Sequence, residues 1–349
     1  MDNLTTTVSA GLRRLRRKYL TTKAQLSGKA FWCNALAGNS EVNISINSDL
    51  TVSCNCHDVD GSGHIGDLNR QSLAECLSGP VAERFRRRLA EGRLPIDGCS
   101  RCCDLRMADK DEAARRAETR RLPGFVMVEN TSACNLRCAS CPRTAIRNLR
   151  GKLSMSLDDV GRVADELAAC GVRQIGYLNL GEPFLSKRIR RELEIIRRKS
   201  LGITINTSTN ALAIDSDEKR DAALLIDAMQ VSIDGVSQQT VTRYQRGSDF
   251  QRAYDNMRAL VAYRDAQGLA RPTIIWKYLL FWWNDRKRYL ERAIEMAKEA
   301  NVDGLLFEKT VSPFWGVPVR SYLGFHKRIG EDAGGGDRFL RLRPALSTG

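Results

Sequence analysis

GFVMVENTSACNLRCASC, residues 124–141, is the stretch on which the reading of this chain turns. GFVMVEN has the apolar run of a strand, and the cysteines follow where that strand ends. Cys134, Cys138 and Cys141 lie within eight residues, so three thiolates can wrap one corner of an iron–sulfur cube. Three is one fewer than a saturated cube needs. One iron then stays open to an outside ligand, as at catalytic rather than structural metal sites. The competing readings are a zinc site completed from elsewhere and three unrelated buried cysteines.

Downstream the strand signal recurs. QIGYLNL (174–180), ITINTST (203–209), AMQVSID (228–234), TIIWKYLLF (273–281) and GLLFEK (304–309) each read as strands. Amphipathic stretches such as LDDVGRVADELAACG (157–171) lie between them, and Gly171, Gly202 and Gly268 sit where helix C-caps are expected. Strands alternating with helices predict an α/β fold with parallel pairing through right-handed crossovers. Six repeats are too few to close an eight-stranded barrel, which leaves an open sheet or a partial barrel. In both, ligands bind at the C-terminal ends of the strands, where the cysteine loop lies.

The 349 residues leave room for one large domain and a smaller one. No stretch has the apolar length to span a bilayer, and residues 1–20 lack the apolar core and cleavage site of a secretory signal. A cytoplasmic protein is expected, and in a reducing compartment 11 cysteines, an odd number, read as metal ligands or catalytic thiols. The excess of 55 Lys+Arg over 41 Asp+Glu, a formal +14, favours polyanionic partners such as nucleic acid, nucleotides, phosphorylated substrates or acidic lipid. It selects none of them, and the runs Arg13–Lys18, Arg84–Arg88 and Arg115–Arg121 read as solvated helix faces.

Five regions separate on composition. Residues 1–30 are basic, with Leu12, Leu15 and Tyr19 at helical spacing. That stripe reads as a helix packed on the body, in preference to a membrane-surface or acidic-partner contact. Residues 31–105 form a small cysteine-rich α+β module, in which NISINSDLTVSC (43–54) reads as a hairpin and 70–92 as one or two helices. Residues 106–121 read as a helical connector and 122–311 as the barrel. Residues 312–349, with Gly334-Gly335-Gly336, read as an irregular extension, either a flap or a partly disordered tail.

On these motifs the chain resembles the radical SAM superfamily, whose hallmark is Cys-x3-Cys-x2-Cys on the first loop of a partial (βα)6 TIM-like barrel. Gly181-Glu182-Pro183, ending the second strand, resembles the superfamily's motif for the amino group of S-adenosylmethionine (SAM). Ser208 and Asn210 end the third strand, where the family places ribose and carboxylate contacts. Ser232 and Asp234 end the fourth, and Tyr244-Gln-Arg246-Gly247 resembles an Arg-Gly segment that implies Arg246 near the SAM carboxylate. Leu180 and Ala211 stand where glycine is common in the family. The resemblance covers residues 122–310. It implies a [4Fe–4S] cluster on Cys134, Cys138 and Cys141, SAM as cofactor, and an electron donor such as flavodoxin or ferredoxin. It also implies reductive cleavage of SAM to a 5′-deoxyadenosyl radical that abstracts a substrate hydrogen.

A second cysteine group, Cys33-x20-Cys54-x-Cys56 and Cys99-x2-Cys102-Cys103, resembles the auxiliary-cluster module called SPASM, here placed before the barrel rather than after it. Asp49–Cys54 corresponds to that module's hairpin and Ile65-Gly66-Asp67-Leu68 to its middle segment. The resemblance implies one further [4Fe–4S] cluster on Cys33, Cys54, Cys99 and Cys102, with Cys56 and Cys103 as alternates. A four-cysteine zinc site would suit the same spacing.

Strand alternation groups Tyr177 with Asn179, and Asn206 with Ser208 and Asn210. Lys277 interrupts an apolar strand, a costly position unless it is paired, so it is expected to face a polar lumen or an acid such as Glu129 or Glu308. Lys277, Glu129 and Asn179 are the candidate substrate-side residues. The expected function is a radical SAM oxidoreductase or maturase acting on a peptide or on a sugar or other small metabolite. An RNA-modifying radical SAM enzyme and a non-catalytic zinc protein that binds nucleic acid are the alternatives.

Overall fold

The computed structural model describes residues 2–324, 329–333 and 336–343. They form two compact units. The first comprises residues 1–132, 143–179 and 195–203; the second holds 133–142, 180–194 and the chain from 204 onward. The strand–helix alternation expected of residues 122–311 is present throughout, and no helix among the described residues is long and apolar enough to cross a membrane.

The first unit opens with α1 (Asp2–Leu26), followed by an antiparallel ribbon of β1 (Lys29–Cys33) and a distant partner. The expected hairpin forms as β2 (Ser45–Ile46) and β3 (Thr51–Ser53), and β4 (His64–Asp67) adds to it antiparallel. The helical region resolves into α2 (Leu73–Ser78) and α3 (Pro80–Ala90), α2 starting at a capping box of Ser72 and Glu75. The expected connector helix is shorter than its 106–121 span. Residues 105–109 are instead β5 (Leu105–Asp109), which pairs with β1, and only α4 (Lys110–Ala117) is helical. Local pattern could not find that strand, because its partner lies more than 70 residues away.

Next come β6 (Phe125–Val128), α5 (Arg143–Arg147), α6 (Leu157–Ala169) and β7 (Gln174–Gly176). β6 pairs parallel with β7 on one side and with β2 on the other, giving the order β4-β3-β2-β6-β7. The cysteine-rich module and the first barrel strand therefore share a sheet, where the sequence suggested a boundary at residues 106–121. Val126, Val128, Ile46, Val52 and Ile175 are buried in this sheet.

α1 departs from expectation. Its inward side carries Arg13, Arg17, Leu20, Thr21 and Ala24, with Ala24 in a core of Phe31, Leu89 and Leu94. The Leu12, Leu15 and Tyr19 stripe, expected to pack on the body, is more than half exposed.

α7 (Ile189–Lys199) leads to the strands of the second unit, β8 (Thr204–Thr209), β9 (Ala228–Ser232), β10 (Thr273–Leu280) and β11 (Gly304–Lys309), which pair parallel in chain order. Between them run α8 (Asp217–Ala223), α9 (Gln238–Val241), α10 (Phe250–Ala266) and α11 (Lys287–Glu299). Ile205, Met229, Val231, Trp276, Tyr278 and Phe307 point to the helix side and are buried. After α12 (Val319–Tyr322), β12 (Glu331–Asp332) and β13 (Arg338–Arg341) form a hairpin whose second strand pairs antiparallel with β11. The C-terminal extension is thus partly ordered sheet; Gly334, Gly335 and residues 344–349 lie outside the described residues.

Candidate functional site

The second unit gathers the loop of residues 133–142 and the exits of three strand segments by backbone hydrogen bonds. Glu182 N donates to Ala133 O at 2.8 Å, Arg137 N to Arg246 O at 3.0 Å, and Ala139 N to Tyr244 O at 2.9 Å. Asn210 Nδ2 donates to Asn135 Oδ1 at 2.8 Å. The Gly-Glu-Pro, Ser-Thr-Asn and Tyr-Gln-Arg-Gly segments thereby fix the loop that carries Cys134, Cys138 and Cys141. Cys138 lies beside both Cys141 and Cys134. Burial, then the Asp234 carboxylate, Cys141 and Cys134, push the Cys138 thiol well above its ordinary range. A set of three thiols suits an iron–sulfur cluster, whose cationic iron offsets the charge that burial and Asp234 oppose.

Glu182 is a strut rather than an exposed ligand. Its carboxylate is buried and accepts from Thr209 Oγ1 at 2.7 Å, Asn210 N at 2.8 Å and Phe184 N at 3.2 Å. Burial raises its pKa, and those bonds pull it back only in part. Gln at this position must turn an amide N–H toward either Asn210 N–H or Phe184 N–H, which leaves a buried donor unmet at about 1–3 kcal/mol. Glu182→Gln should therefore raise the Kd for SAM roughly tenfold, read by equilibrium binding to cluster-loaded protein.

Asn210 and Ala211 turn the chain sharply. Asn210 Oδ1 accepts from Leu212 N at 3.0 Å, and Ala211 sits at φ 63°, which is why glycine would be at ease there. Asn256 Nδ2, donating to Ala211 O at 2.9 Å, holds the strained residue in place. Ala211→Gly should stabilise the protein by roughly 0.5–1 kcal/mol, seen as a higher unfolding midpoint with unchanged SAM cleavage.

Strand alternation leaves one half-buried, polar inner face: Asn206 and Ser208 on β8, Gln230 and Ser232 on β9, Lys277 on β10 and Glu308 on β11. Ser208 Oγ and Ser232 Oγ lie 3.2 Å apart. Lys277 Nζ pairs with Glu308 Oε2 at 2.8 Å, which answers the choice between Glu308 and Glu129. Gln230 escaped the sequence reading, although its spacing from Ser232 in AMQVSID is the same alternation that grouped Asn206 with Ser208. Asp234 is buried, accepts from Leu279 N at 2.9 Å, and has its pKa lifted to about 7 mainly by burial. The Arg246 side chain is exposed, while its carbonyl holds the cysteine loop.

In the first unit Glu129 is wholly buried, and its carboxylate accepts from Arg150 Nε at 2.8 Å and Ser48 N at 3.3 Å. That engagement makes it a joint between β6 and the β2–β3 turn, not the substrate-side acid expected. Asn179 is half-buried, and its Nδ2 donates to Ser45 Oγ at 3.3 Å.

Cys33, Cys54, Cys99 and Cys102 line one apolar cavity with Leu36, Phe85, Leu89 and Ile96. Burial and the neighbouring thiols raise all four, Cys99 to about 12. Cys56 and Cys103 are not in that cavity's lining, but both lie beside Cys102. Asn43 Nδ2 lies 3.7 Å from Cys102 Sγ and 3.6 Å from Cys103 Sγ, and Asn43 Oδ1 accepts from Cys56 N. Four thiols around an apolar cavity fit a soft-metal centre, and among the described residues no three Cys, His, Asp or Glu converge on a single ion.

The sequence is similar to several known proteins. Residues 128–266 match the family model described as the radical SAM superfamily. The chain is 32% identical over 124 residues to a PqqA peptide cyclase of Rhodopseudomonas palustris, covering 34% of this chain and 31% of that protein. It is 28% identical over 141 residues to a GTP 3',8-cyclase of Lactiplantibacillus plantarum, covering 39% of this chain and 41% of that one. The matches thus span less than half the length of these curated relatives. Among solved structures, "Native anSMEcpe with bound AdoMet and Kp18Cys peptide" matches at a TM-score of 0.44 and 15% identity, covering 58% of each chain.

Proposed function

This chain belongs to the radical SAM superfamily through residues 128–266, and from that premise we propose an oxidoreductase or maturase that takes hydrogen from a peptide or from a sugar or other small metabolite. The observation that carries the reading is the hydrogen-bonded union of the Cys134–Cys141 loop with the segments at Glu182, Asn210 and Tyr244–Arg246. Cys134, Cys138 and Cys141 would hold a [4Fe–4S] cluster, which would supply the electron for reductive cleavage of SAM.

The chain's own residues then bind and orient. Gly181, Glu182 and Pro183 shape the cradle for the SAM amino group, with Glu182 bracing it through Thr209 and Asn210. Ser208, Asn210, Ser232, Asp234 and Arg246 complete the SAM contacts. On the polar inner face, Lys277 and Glu308 present a charge pair that orients a polar substrate. Tyr244, its ring tilted against Phe281 with centroids 4.6 Å apart, closes the cysteine loop from water. Cys33, Cys54, Cys99 and Cys102 would hold a second [4Fe–4S] cluster, and a flavodoxin- or ferredoxin-type donor would supply electrons. The two named relatives act, by their names, on a peptide and on GTP, which is the range of substrates proposed.

Anaerobic reconstitution followed by incubation with SAM and a strong reductant tests the reading. Iron, sulfide and 5′-deoxyadenosine are expected. Stoichiometric zinc without iron or sulfide, or no 5′-deoxyadenosine from an intact cluster across peptide and small-molecule substrates, would sink it. RNA-dependent turnover would move the substrate assignment to RNA.

A further inference from the structure

We infer that α1 is a docking element for an anionic phospholipid surface, so that the enzyme works as a peripheral membrane protein. The helix is fastened from its inward side. Arg17 Nε pairs with Asp97 Oδ1 at 3.1 Å, Ser100 Oγ donates to Arg13 O at 3.4 Å, and Ala24 is wholly buried. Its outward side is apolar. Leu12, Leu15, Tyr19 and Leu26 are 53%, 65%, 63% and 85% exposed. At 3.6 residues per turn these four fall within about 60° of one another around the axis.

Charge says what covers this stripe. Arg16 and Lys23 stand on one shoulder of it, Lys18 and Arg14 on the other, and all four are exposed. Between Asp2 and Glu41 the sequence has no acidic residue. An apolar ridge with cations on both flanks is what an interfacial helix needs: side chains that enter the acyl boundary and charges level with anionic headgroups. A second copy of the chain is disfavoured, because both shoulders are basic and like charges would meet in either orientation. A nucleic acid would engage the cations but leave four large apolar side chains without a partner.

The test is sedimentation of the anaerobically loaded full chain with vesicles of phosphatidylcholine, with and without about one-third phosphatidylglycerol. Binding to the anionic vesicles is expected, weakening as salt rises, with little binding to neutral ones. Leu12→Ser/Leu15→Ser/Tyr19→Ser should lower the partition coefficient at least about tenfold while leaving iron content and 5′-deoxyadenosine formation unchanged, since these side chains lie outside both cysteine sites. Arg14→Gln/Arg16→Gln/Lys18→Gln should lower it similarly on anionic vesicles. Absence of binding at low salt would overturn the inference. So would equal binding by the apolar triple variant, which would mean a mere polyelectrolyte contact. A dimer of the wild type that the apolar variant abolishes would assign the stripe to a second copy instead.

Discussion

Cys138→Ala is expected to lose about four of about eight iron atoms per chain and to bring 5′-deoxyadenosine formation down to background. The size of the effect follows from the site's electrostatics. Cys138 is a half-buried thiol beside Asp234, Cys141 and Cys134, and every one of those neighbours opposes its ionisation. Only a strongly cationic partner makes three thiolates tolerable there, so a cluster at this loop would need all three together. The same electrostatics set the pH dependence of loading. Ligation requires deprotonated sulfur, and the Cys138 thiol titrates above the ordinary range, so loading should rise with pH and be slower at pH 6.5 than at pH 8.5. Cys33→Ala/Cys99→Ala is the contrasting variant. It should lose the other four iron atoms, about half the total, and still cleave SAM in the presence of an artificial reductant. Iron and sulfide assays with chromatography of 5′-deoxyadenosine read both variants. Full cleavage activity in Cys138→Ala would remove that residue from the ligand set.

The parts of the molecule legible in its sequence are those whose signal is local. Each barrel strand announced itself within six to nine residues, and the cysteine triplet sits on the loop that follows the first of them. Gly171, Gly202 and Gly268 all adopt positive φ at helix ends, because the requirement there is a single residue's backbone. What escaped was non-local. β5 is only five residues long, too short for a periodic signal, and exists because β1 offers it a ladder. The parallel pairing of β2 with β6 joins residues about 80 apart, and no periodicity reports a partner at that distance. For α1, the spacing of Leu12, Leu15 and Tyr19 identified a stripe but not its surroundings. The side that packs is built from Arg13, Arg17, Leu20, Thr21 and Ala24, which carry little apolar signal. Lys277 drew attention as a charge in an apolar strand, yet which carboxylate met it depended on the neighbouring strand's register, where Lys277 stands opposite Leu306, two residues before Glu308.

Arg150→Met should destabilise the protein by about 3–5 kcal/mol, the largest stability loss expected from a single polar substitution here. Arg150 and Glu129 have side chains 1% and 0% exposed, paired at 2.8 Å. Arg150 Nη2 donates to Asn47 Oδ1 at 2.9 Å, and Asn47 Nδ2 in turn donates to Thr51 Oγ1 and Ser53 Oγ, both at 3.0 Å. Removing the guanidinium leaves a carboxylate without a counter-charge in a place water does not reach, and it also releases the turn that joins β2 to β3. Cys54 follows β3 directly, so the damage should travel to the N-terminal thiol cavity, with its iron lost at lower temperature than the iron of the Cys134–Cys141 loop. Replacing both partners separates the two contributions. Glu129→Met/Arg150→Met removes the stranded charge as well as the pair, and should recover most of the loss. Unfolding midpoints of wild type, both single variants and the double variant complete the cycle. A single-variant loss below about 1 kcal/mol would show that Glu129 finds a proton or another donor without cost. A double variant as unstable as Arg150→Met would show instead that the bonds through Asn47, rather than the buried charge, hold the module to the barrel's first strand.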